Sequence, residues 1–236
     1  MRIGVISDIH GNSIALRQSL KALKEKFSVD DVFFLGDAVG YMPDANEVLE
    51  ILRKENIKSL MGNHEAMLLG WLPNDPKSDT VYQLERTKQA MKKDHLNFIR
   101  GLLPFREVVI EGTKILMVHG SPVNPLNGYV YPDTDISSLR IQGYDFILMG
   151  HTHRPFVKQT NTTCYVNVGS CGMPRDVGDL SSLAIIDTER KHAGIYRFTM
   201  NVVAMARKYQ NHLHPDVEKL WSRKVSSENI EGEIIS

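Results

Sequence analysis

Residues 1–12 read MRIGVISDIHGN, and this stretch carries the most informative pattern in the chain. Its first seven residues carry a short apolar run of the kind that forms a buried strand. Asp8 and His10 follow directly, so two polar side chains stand on the turn that ends the strand. Residues 12–27 then carry apolar side chains at helical spacing. The stretch therefore predicts a strand, a polar turn and an amphipathic helix, in that order.

Four later segments have the same sequence pattern as the turn at residues 8–10. Each follows a short apolar run and contains or adjoins a glycine. The five segments are Asp8-Ile9-His10, Gly36-Asp37, Gly62-Asn63-His64-Glu65, His119-Gly120 and Gly150-His151-Thr152-His153. Because the carboxyl ends of parallel strands meet at one edge of a sheet, we expect these polar side chains to converge there.

The first 65 residues alternate strand and helix, which is typical of a parallel sheet in an α/β protein. The later half is strand-rich and predicts a second sheet packed on the first. The predicted strands are residues 1–7, 32–35, 57–61, 106–110, 113–118, 146–149, 156–159, 164–168, 183–187 and 194–198. Helices are expected at residues 12–27, from Pro43, at 65–101 with a break at 72–77, and at 134–141. We expect a single domain over residues 1–236 with a helical and polar tail from about residue 202.

The composition excludes several classes of protein. The chain has 236 residues, of which 42% are hydrophobic, and its 28 basic and 28 acidic side chains give a formal net charge of zero. A net charge of zero gives no electrostatic reason to expect that the protein binds nucleic acid or a membrane. The two cysteines, Cys164 and Cys171, are too few for a disulfide scaffold. With no long apolar span and no signal peptide, a cytoplasmic protein is expected, and no oligomeric state is indicated.

The polar residues of the five segments are of types that bind metal ions. Two divalent ions at one sheet edge could clamp a phosphoryl group and activate a water. Imidazole and carboxylate suit manganese, iron, zinc or nickel better than calcium. We expect two divalent ions. Manganese is the preferred identity, and iron, zinc or nickel are the alternatives. The candidate ligands are Asp8, His10, Asp37, Asn63, His119, His151 and His153.

These segments resemble the motifs of the calcineurin-like metallophosphoesterases, and the resemblance runs from Met1 to about Asp187. Within that family, the chain most resembles a small prokaryotic branch described as phosphodiesterase-like. The branch resemblance rests on DIHGN at 8–12, GY at 40–41, NE at 46–47, HTHRP at 151–155 and NVGSCGMPRD at 167–176.

The resemblance implies a four-layer αββα sandwich of two mixed sheets flanked by helices, with metals at the sheet edge. It assigns the first ion to Asp8, His10, Asp37 and His153. It assigns the second ion to Asp37, Asn63, His119 and His151, with Asp37 as the bridge. His64 is then no ligand but the catalytic residue that protonates the leaving-group oxygen.

The chain differs from its relatives at positions near the motifs. Protein phosphatases of the superfamily continue the second motif with an aspartate-arginine-glycine run, whose arginine grips phosphate. Residues 36–41 read GDAVGY and contain no arginine, which favours a phosphodiesterase. The branch usually has proline where Val168 stands, and often arginine and serine where Leu180 and Ser181 stand.

Two further residues are candidates for binding substrate. Asn12 could contact phosphate, or it could cap the following helix. Arg175 could reach the phosphate or pair with a nearby carboxylate.

The sequence therefore predicts a metal-dependent phosphoesterase that uses a metal-activated hydroxide on a small, nucleotide-like phosphate ester. Two alternatives stay open. One is a phosphomonoesterase, including a serine/threonine protein phosphatase. The other is a non-catalytic interaction module built on the same fold.

Overall fold

The computed structural model describes residues 1–139, 141–224 and 231–235. Within these ranges the strands are β1 Arg2–Ile6, β2 Asp31–Phe34, β3 Lys58–Ser59, β4 Phe105–Ile110, β5 Thr113–Val118, β6 Phe146–Met149, β7 Phe156–Gln159, β8 Cys164–Asn167, β9 Leu180–Asp187, β10 His192–Thr199 and β11 Glu233–Ile234. The helices are α1 Ser13–Glu25, α2 Ala45–Lys54, α3 Asn63–Leu69, α4 Pro76–Tyr82, α5 Leu84–Ala90, α6 Lys93–Arg100, α7 Val202–Tyr209 and α8 Pro215–Trp221, with a 3₁₀ helix at Ile136–Leu139.

The strands form two mixed sheets. The first has the order β11-β10-β9-β1-β2-β3, and the second has the order β4-β5-β6-β8-β7. In the first sheet β1, β2 and β3 run parallel, and β9 lies antiparallel to β1. In the second sheet β5, β6 and β8 run parallel. The predicted α/β sandwich of two mixed sheets flanked by helices is confirmed.

The alternation of side chains along β1 explains why the sheets and helices form layers. Ile3 and Val5 point into the core between the two sheets, whereas Ile6 joins the core under the helices. Successive residues of a strand face opposite sides, so one strand serves both cores. Gly4 faces α1, where a Cβ would lie 2.7 Å from a methyl carbon of Leu23. The bare backbone at this position therefore lets the helix lie close to the sheet.

The parallel register of β1 and β2 carries on beyond the strands. Ile6 pairs with Phe34 at the last rung, and the backbone N–H of Asp8 then donates to the carbonyl of Gly36 at 3.0 Å. The N–H of His10 donates to the carbonyl of Asp37 at 2.9 Å. These bonds hold the polar turns of the two strands side by side.

Three expectations for secondary structure were wrong in detail. The middle of the chain has helix breaks beyond the expected one at 72–77, because Gln83 adopts a left-handed backbone and Met91 an extended one. The expected strand at 57–61 is reduced to β3, after which Leu60 bridges to Leu103. The expected helix at 134–141 is only a 3₁₀ turn.

The C-terminal segment packs on the rest of the chain through its helices. Met205 and Tyr209 of α7 and Trp221 of α8 are buried in a cluster that also contains Tyr41 and Met173. This packing favours the prediction of one domain with a helical end. The end of the chain also contains a strand, β11, which pairs in parallel with β10 and which the sequence did not indicate. The tail residues 225–230 and 236 lie outside the described residues.

Among the helices of the described residues, none combines the length and the apolar character that crossing a membrane requires.

Candidate metal centre

All seven candidate ligands lie at one edge of the sandwich and are at most 7% exposed. They follow the carboxyl ends of strands from both sheets, as expected for converging parallel strands. The strands concerned are β1, β2 and β3 of the first sheet and β5 and β6 of the second. A hydrogen bond joins the sheets here, because the backbone N–H of His151 donates to Asp8 Oδ2 at 3.0 Å. The structure therefore brings together residues that are up to 145 positions apart, from Asp8 to His153.

The first group of side chains is formed by Asp8, His10 and His153. His153 Nε2 lies 3.1 Å from Asp8 Oδ1, and His10 Nε2 lies 3.7 Å from the same oxygen. The two Nε2 atoms are 3.0 Å apart. These three residues could hold one metal ion between them.

The second group is formed around His119. Its Nε2 lies 3.3 Å from Asp37 Oδ2, 2.9 Å from Asn63 Oδ1 and 3.2 Å from His151 Nδ1. Asp37, His119 and His151 could hold a second ion, and the Asn63 oxygen points into the same space. Asp37 Oδ2 is also 3.7 Å from His10 Nε2, so this carboxylate stands between the two groups.

The hydrogen bonds on the far side of the rings fit a bound cation. The Nδ1 atoms of His10, His119 and His153 lie 3.1, 3.1 and 2.5 Å from the carbonyls of Val39, Leu35 and Met173. Each carbonyl accepts a hydrogen bond from an Nδ1–H group, so the lone pair of the neutral ring lies on Nε2. Two such nitrogens 3.0 Å apart repel each other unless a cation lies between them. Asp8 Oδ1 and His151 Nε2 are also buried without a hydrogen-bond partner. The donor set therefore fits divalent metal ions.

The backbone of the ligand turns is strained. Five of the seven candidate ligands have φ angles in the left-handed region, between 52° and 67°. Non-glycine residues held in such regions cost on the order of 1–3 kcal/mol each and cluster at functional sites. The five residues are Asp8, His10, Asp37, His151 and His153. Packing of the surrounding sheet edge must hold this geometry, because the local sequence does not favour it.

The protonation states mostly suit metal binding. Burial raises the pKa of the Asp8 and Asp37 carboxyls, but the adjacent histidines outweigh it and hold the pKa of both below the usual range. Burial lowers the pKa of His151 to about 3 and that of His153 to about 4. For His119, burial favours the neutral ring, but the Asp37 charge outweighs it and raises the pKa to about 9. His119 must therefore lose a proton when it binds a cation at neutral pH.

His64 lies beside the two groups of candidate ligands, but it does not make the short contacts that join their members. Its Nε2 is 4.0 Å from Asp37 Oδ2, and its ring packs against Tyr41 and Tyr82 with centroid distances of 5.1 and 4.8 Å. Burial lowers the pKa of His64 well below its usual value. A phosphate bound nearby would add negative charge and raise that pKa. The distances also allow His64 to act as a ligand together with His10 and Asp37.

Glu65 fastens the ligand turns together. Its buried carboxylate accepts four backbone hydrogen bonds. Oε2 accepts from the N–H of Asp37 and of Gly62, both at 2.8 Å. Oε1 accepts from the N–H of Ala38 at 2.7 Å and of Val39 at 3.2 Å. One side chain thus ties the turn after β2 to the turn before α3.

The two predicted substrate residues are placed differently. Asn12 caps α1, because its Oδ1 accepts from the N–H of Ala15 at 3.0 Å and its Nδ2 donates to the carbonyl of Gly172 at 2.8 Å. The capping alternative therefore holds, and a phosphate contact by Asn12 stays a prediction. Arg175 donates from Nη2 to the hydroxyl of Tyr41 at 3.0 Å, so its guanidinium is directed towards the side of the site.

Sequence reasoning missed two aromatic residues at the site, namely Tyr82, which packs on His64, and Tyr129. The ring of Tyr129 lies with its centroid 4.1 Å from that of His151. Tyr129 is 51% exposed on the long loop between β5 and β6. The sequence around it has no periodic pattern, so nothing in the sequence alone directs its ring to the metal centre.

The fold and these residues agree with a known family. The family model for the calcineurin-like phosphoesterase superfamily domain matches residues 1–191 of the chain. The chain therefore belongs to this superfamily, and the resemblance that its motifs indicated is confirmed.

Similar proteins carry several names. An uncharacterized protein of Methanocaldococcus jannaschii is 34% identical over 203 residues, which cover 78% of this chain and 82% of that protein. A phosphodiesterase of the same organism is 23% identical and covers 81% of this chain and 95% of its own length. A symmetrical bis(5'-nucleosyl)-tetraphosphatase of Paracidovorax citrulli is 31% identical, but only 50% of this chain and 44% of that protein are covered.

A solved structure supports the same family. The crystal structure of a metallophosphoesterase from Sphaerobacter thermophilus superimposes with a TM-score of 0.76 at 26% sequence identity. The superposition covers 94% of this chain and 98% of that protein.

Proposed function

We propose that the chain is a dinuclear-metal-dependent hydrolase of small phosphate esters that prefers diesters. The observation that carries this proposal is the position of Asp37 Oδ2 between the two histidine groups. It lies 3.7 Å from His10 Nε2 and 3.3 Å from His119 Nε2. A carboxylate shared in this way can hold two cations close together and offset part of their repulsion.

The ligand assignment rests on these two groups. Asp8, His10, Asp37 and His153 would hold one ion, and Asp37, Asn63, His119 and His151 would hold the other. When bound, divalent ions would supply positive charge to the phosphoryl oxygens and lower the pKa of an attacking water. The mixture of imidazole and carboxylate donors suits manganese, with iron, zinc or nickel as alternatives.

The remaining chemistry falls to the protein's own residues. The strained turns hold the donors in place before substrate arrives, so little reorganisation is needed during the reaction. His64 lies beside Asp37 and would give a proton to the departing oxygen. Arg175, whose charge stands at the side of the site, would bind a phosphoryl oxygen.

The residues after the bridging Asp37 favour a diester substrate. Ala38 and Val39 are buried apolar residues, and the turn up to Tyr41 provides no arginine. A monoester dianion would lack that partner for its extra charge. The similarity to proteins named as a phosphodiesterase and as a nucleosyl tetraphosphatase supports a small, nucleotide-like substrate.

One observation favours the monoester alternative. Arg175 has a raised pKa despite its burial, because Tyr41 and Asp8 stabilise its charge. Its only side-chain hydrogen bond in the described part of the chain goes to a neutral hydroxyl. The positive charge of Arg175 could therefore pair with the second negative charge of a phosphate monoester.

Metal analysis and two matched substrates would test the proposal. We expect two equivalents of metal per chain after loading with manganese, and faster cleavage of bis-p-nitrophenyl phosphate than of p-nitrophenyl phosphate. Both esters release the same phenolate, so their difference reports the ester class. Preference for the monoester, lost in Arg175→Met but kept in the exposed-site control Arg190→Met, would establish the alternative. Absence of bound metal and of hydrolysis would refute both.

A further inference from the structure

Two exposed tyrosines lie beside the candidate metal centre and have no part in the proposed chemistry. Tyr129 is 51% exposed and Tyr131 is 38% exposed, whereas Val130 between them is 1% exposed. The two exposed tyrosines therefore flank a buried residue, and their rings lie next to each other on the outer side of the loop. Val130 belongs to a buried cluster that also contains Met149 and Phe156 of the second sheet. The two rings form one surface, which we call the tyrosine platform.

The tyrosine platform starts at a candidate ligand and extends outward. The Tyr129 ring centroid is 4.1 Å from that of His151, and the Tyr131 centroid is 5.8 Å from that of Tyr129. The two tyrosine rings are parallel to within 13°. A ring inserted between them would need about 7 Å, twice the roughly 3.5 Å contact distance between carbon atoms. Because His151 lies against Tyr129, a planar ligand must therefore stack on the outer face of Tyr131.

The backbone of the platform is held before any ligand binds. The N–H of Tyr131 donates to Thr134 Oγ1 at 2.9 Å, and the N–H of Thr134 donates to the carbonyl of Tyr131 at 3.0 Å. With Val130 anchored in the core, the segment is fixed on both sides. Little conformational entropy would be lost when a ring stacks on it.

The length of the platform indicates what it binds. An aryl ester carries its ring directly on the phosphate oxygen, so that ring would reach Tyr129 at most. In a nucleotide the sugar separates the base from the phosphate. The base can therefore reach the ring of Tyr131, which lies farther from the metal centre than that of Tyr129. We propose that Tyr131, supported from behind by Tyr129, stacks the base of a nucleotide whose phosphate lies at the metal centre. This inference rests on the proposed function and names the substrate class.

Two ligands that differ only in the base would test the platform. Adenosine 5'-monophosphate and ribose 5-phosphate share the sugar and the phosphate, and their affinities for the manganese-loaded protein can be measured by calorimetry. A stacked base contributes roughly a 5–150-fold gain in affinity. We expect the nucleotide to bind at least about tenfold more tightly, and Tyr131→Leu to abolish that difference without weakening ribose 5-phosphate. Tyr131→Phe keeps the ring and should keep the difference, as should Trp71→Leu, which removes an exposed ring elsewhere.

The outcomes separate this inference from the proposed function. Equal affinities for the two ligands, or a difference that survives in Tyr131→Leu, would overturn the platform even if phosphate esters are cleaved. A base-dependent difference without hydrolysis of any ester would support the platform and refute the proposed function. Failure to bind either ligand would refute the platform, because stacking is inferred for a base anchored by its phosphate.

Discussion

Replacing Glu65 by glutamine should destabilise the metal centre through the backbone that carries it. The carboxylate offers two oxygens, and each accepts two backbone N–H groups. A glutamine amide has one oxygen and one NH₂ group of almost the same shape. In Glu65→Gln one pair of N–H donors, either that of Asp37 and Gly62 or that of Ala38 and Val39, therefore loses its acceptor and faces another donor.

The cost depends on the number of bonds lost. Each buried donor left without a partner costs about 1–3 kcal/mol. Two such donors lower the free energy of unfolding by about 2–6 kcal/mol, against a typical total of about 5–15 kcal/mol. For a chain of this size, each kcal/mol corresponds to about 2–4 °C in the midpoint of thermal unfolding. We therefore expect Glu65→Gln to melt at least about 4 °C below the wild type.

Thermal unfolding of metal-free protein at pH 8 measures this effect. Burial raises the pKa of Glu65 to about 7, so the wild-type side chain is mostly ionised at that pH. Glu85→Gln makes the same chemical change on the exposed face of α5 and serves as the control. If Glu65→Gln and Glu85→Gln unfold at the same temperature, the four backbone bonds do not stabilise the turns.

Three further results are expected. Asp37→Asn should lose more bound metal than Asp8→Asn, because Asp37 stands between both ligand groups. His64→Gln should keep its metals and slow alkyl esters by about 10²–10⁴-fold, but slow nitrophenyl esters much less, because a nitrophenolate leaves without a proton. Metal affinity should rise about tenfold from pH 7 to 8 and about fivefold from pH 8 to 9. In that range His119, with a pKa of about 9, carries a proton that the cation must displace, and this competition weakens as the pH rises.

Elemental analysis, rates over a leaving-group series and calorimetric titration provide the readouts. Two ions retained at wild-type affinity in Asp37→Asn would rule out the shared carboxylate. An equal loss across all leaving groups in His64→Gln, accompanied by metal loss, would make His64 a ligand instead of a proton donor. A metal affinity independent of pH would mean that His119 is already neutral.

Several features of this protein could be predicted from local sequence because they depend on periodicity. The apolar runs of β1, β2, β5 and β6 marked the buried strands, and the polar residues after them marked the sheet edge. The helix breaks at Gln83 and Met91 were missed, because no proline or glycine occurs there to indicate them. β11 was missed because two exposed residues pair only where β10 is already in place.

Local sequence thus predicted the strands that carry the site, the motifs that resemble those of the superfamily and the seven candidate ligands at the sheet edge. Those properties depend on residue type and spacing, which the chain carries locally. Only the tertiary structure decided the position of Asp37 Oδ2 between two histidine groups, the four bonds that Glu65 accepts and the place of Tyr129 against His151. These are distances between atoms on different elements, and they arise only when both sheets have packed and forced the ligand turns into a backbone that no isolated segment would adopt.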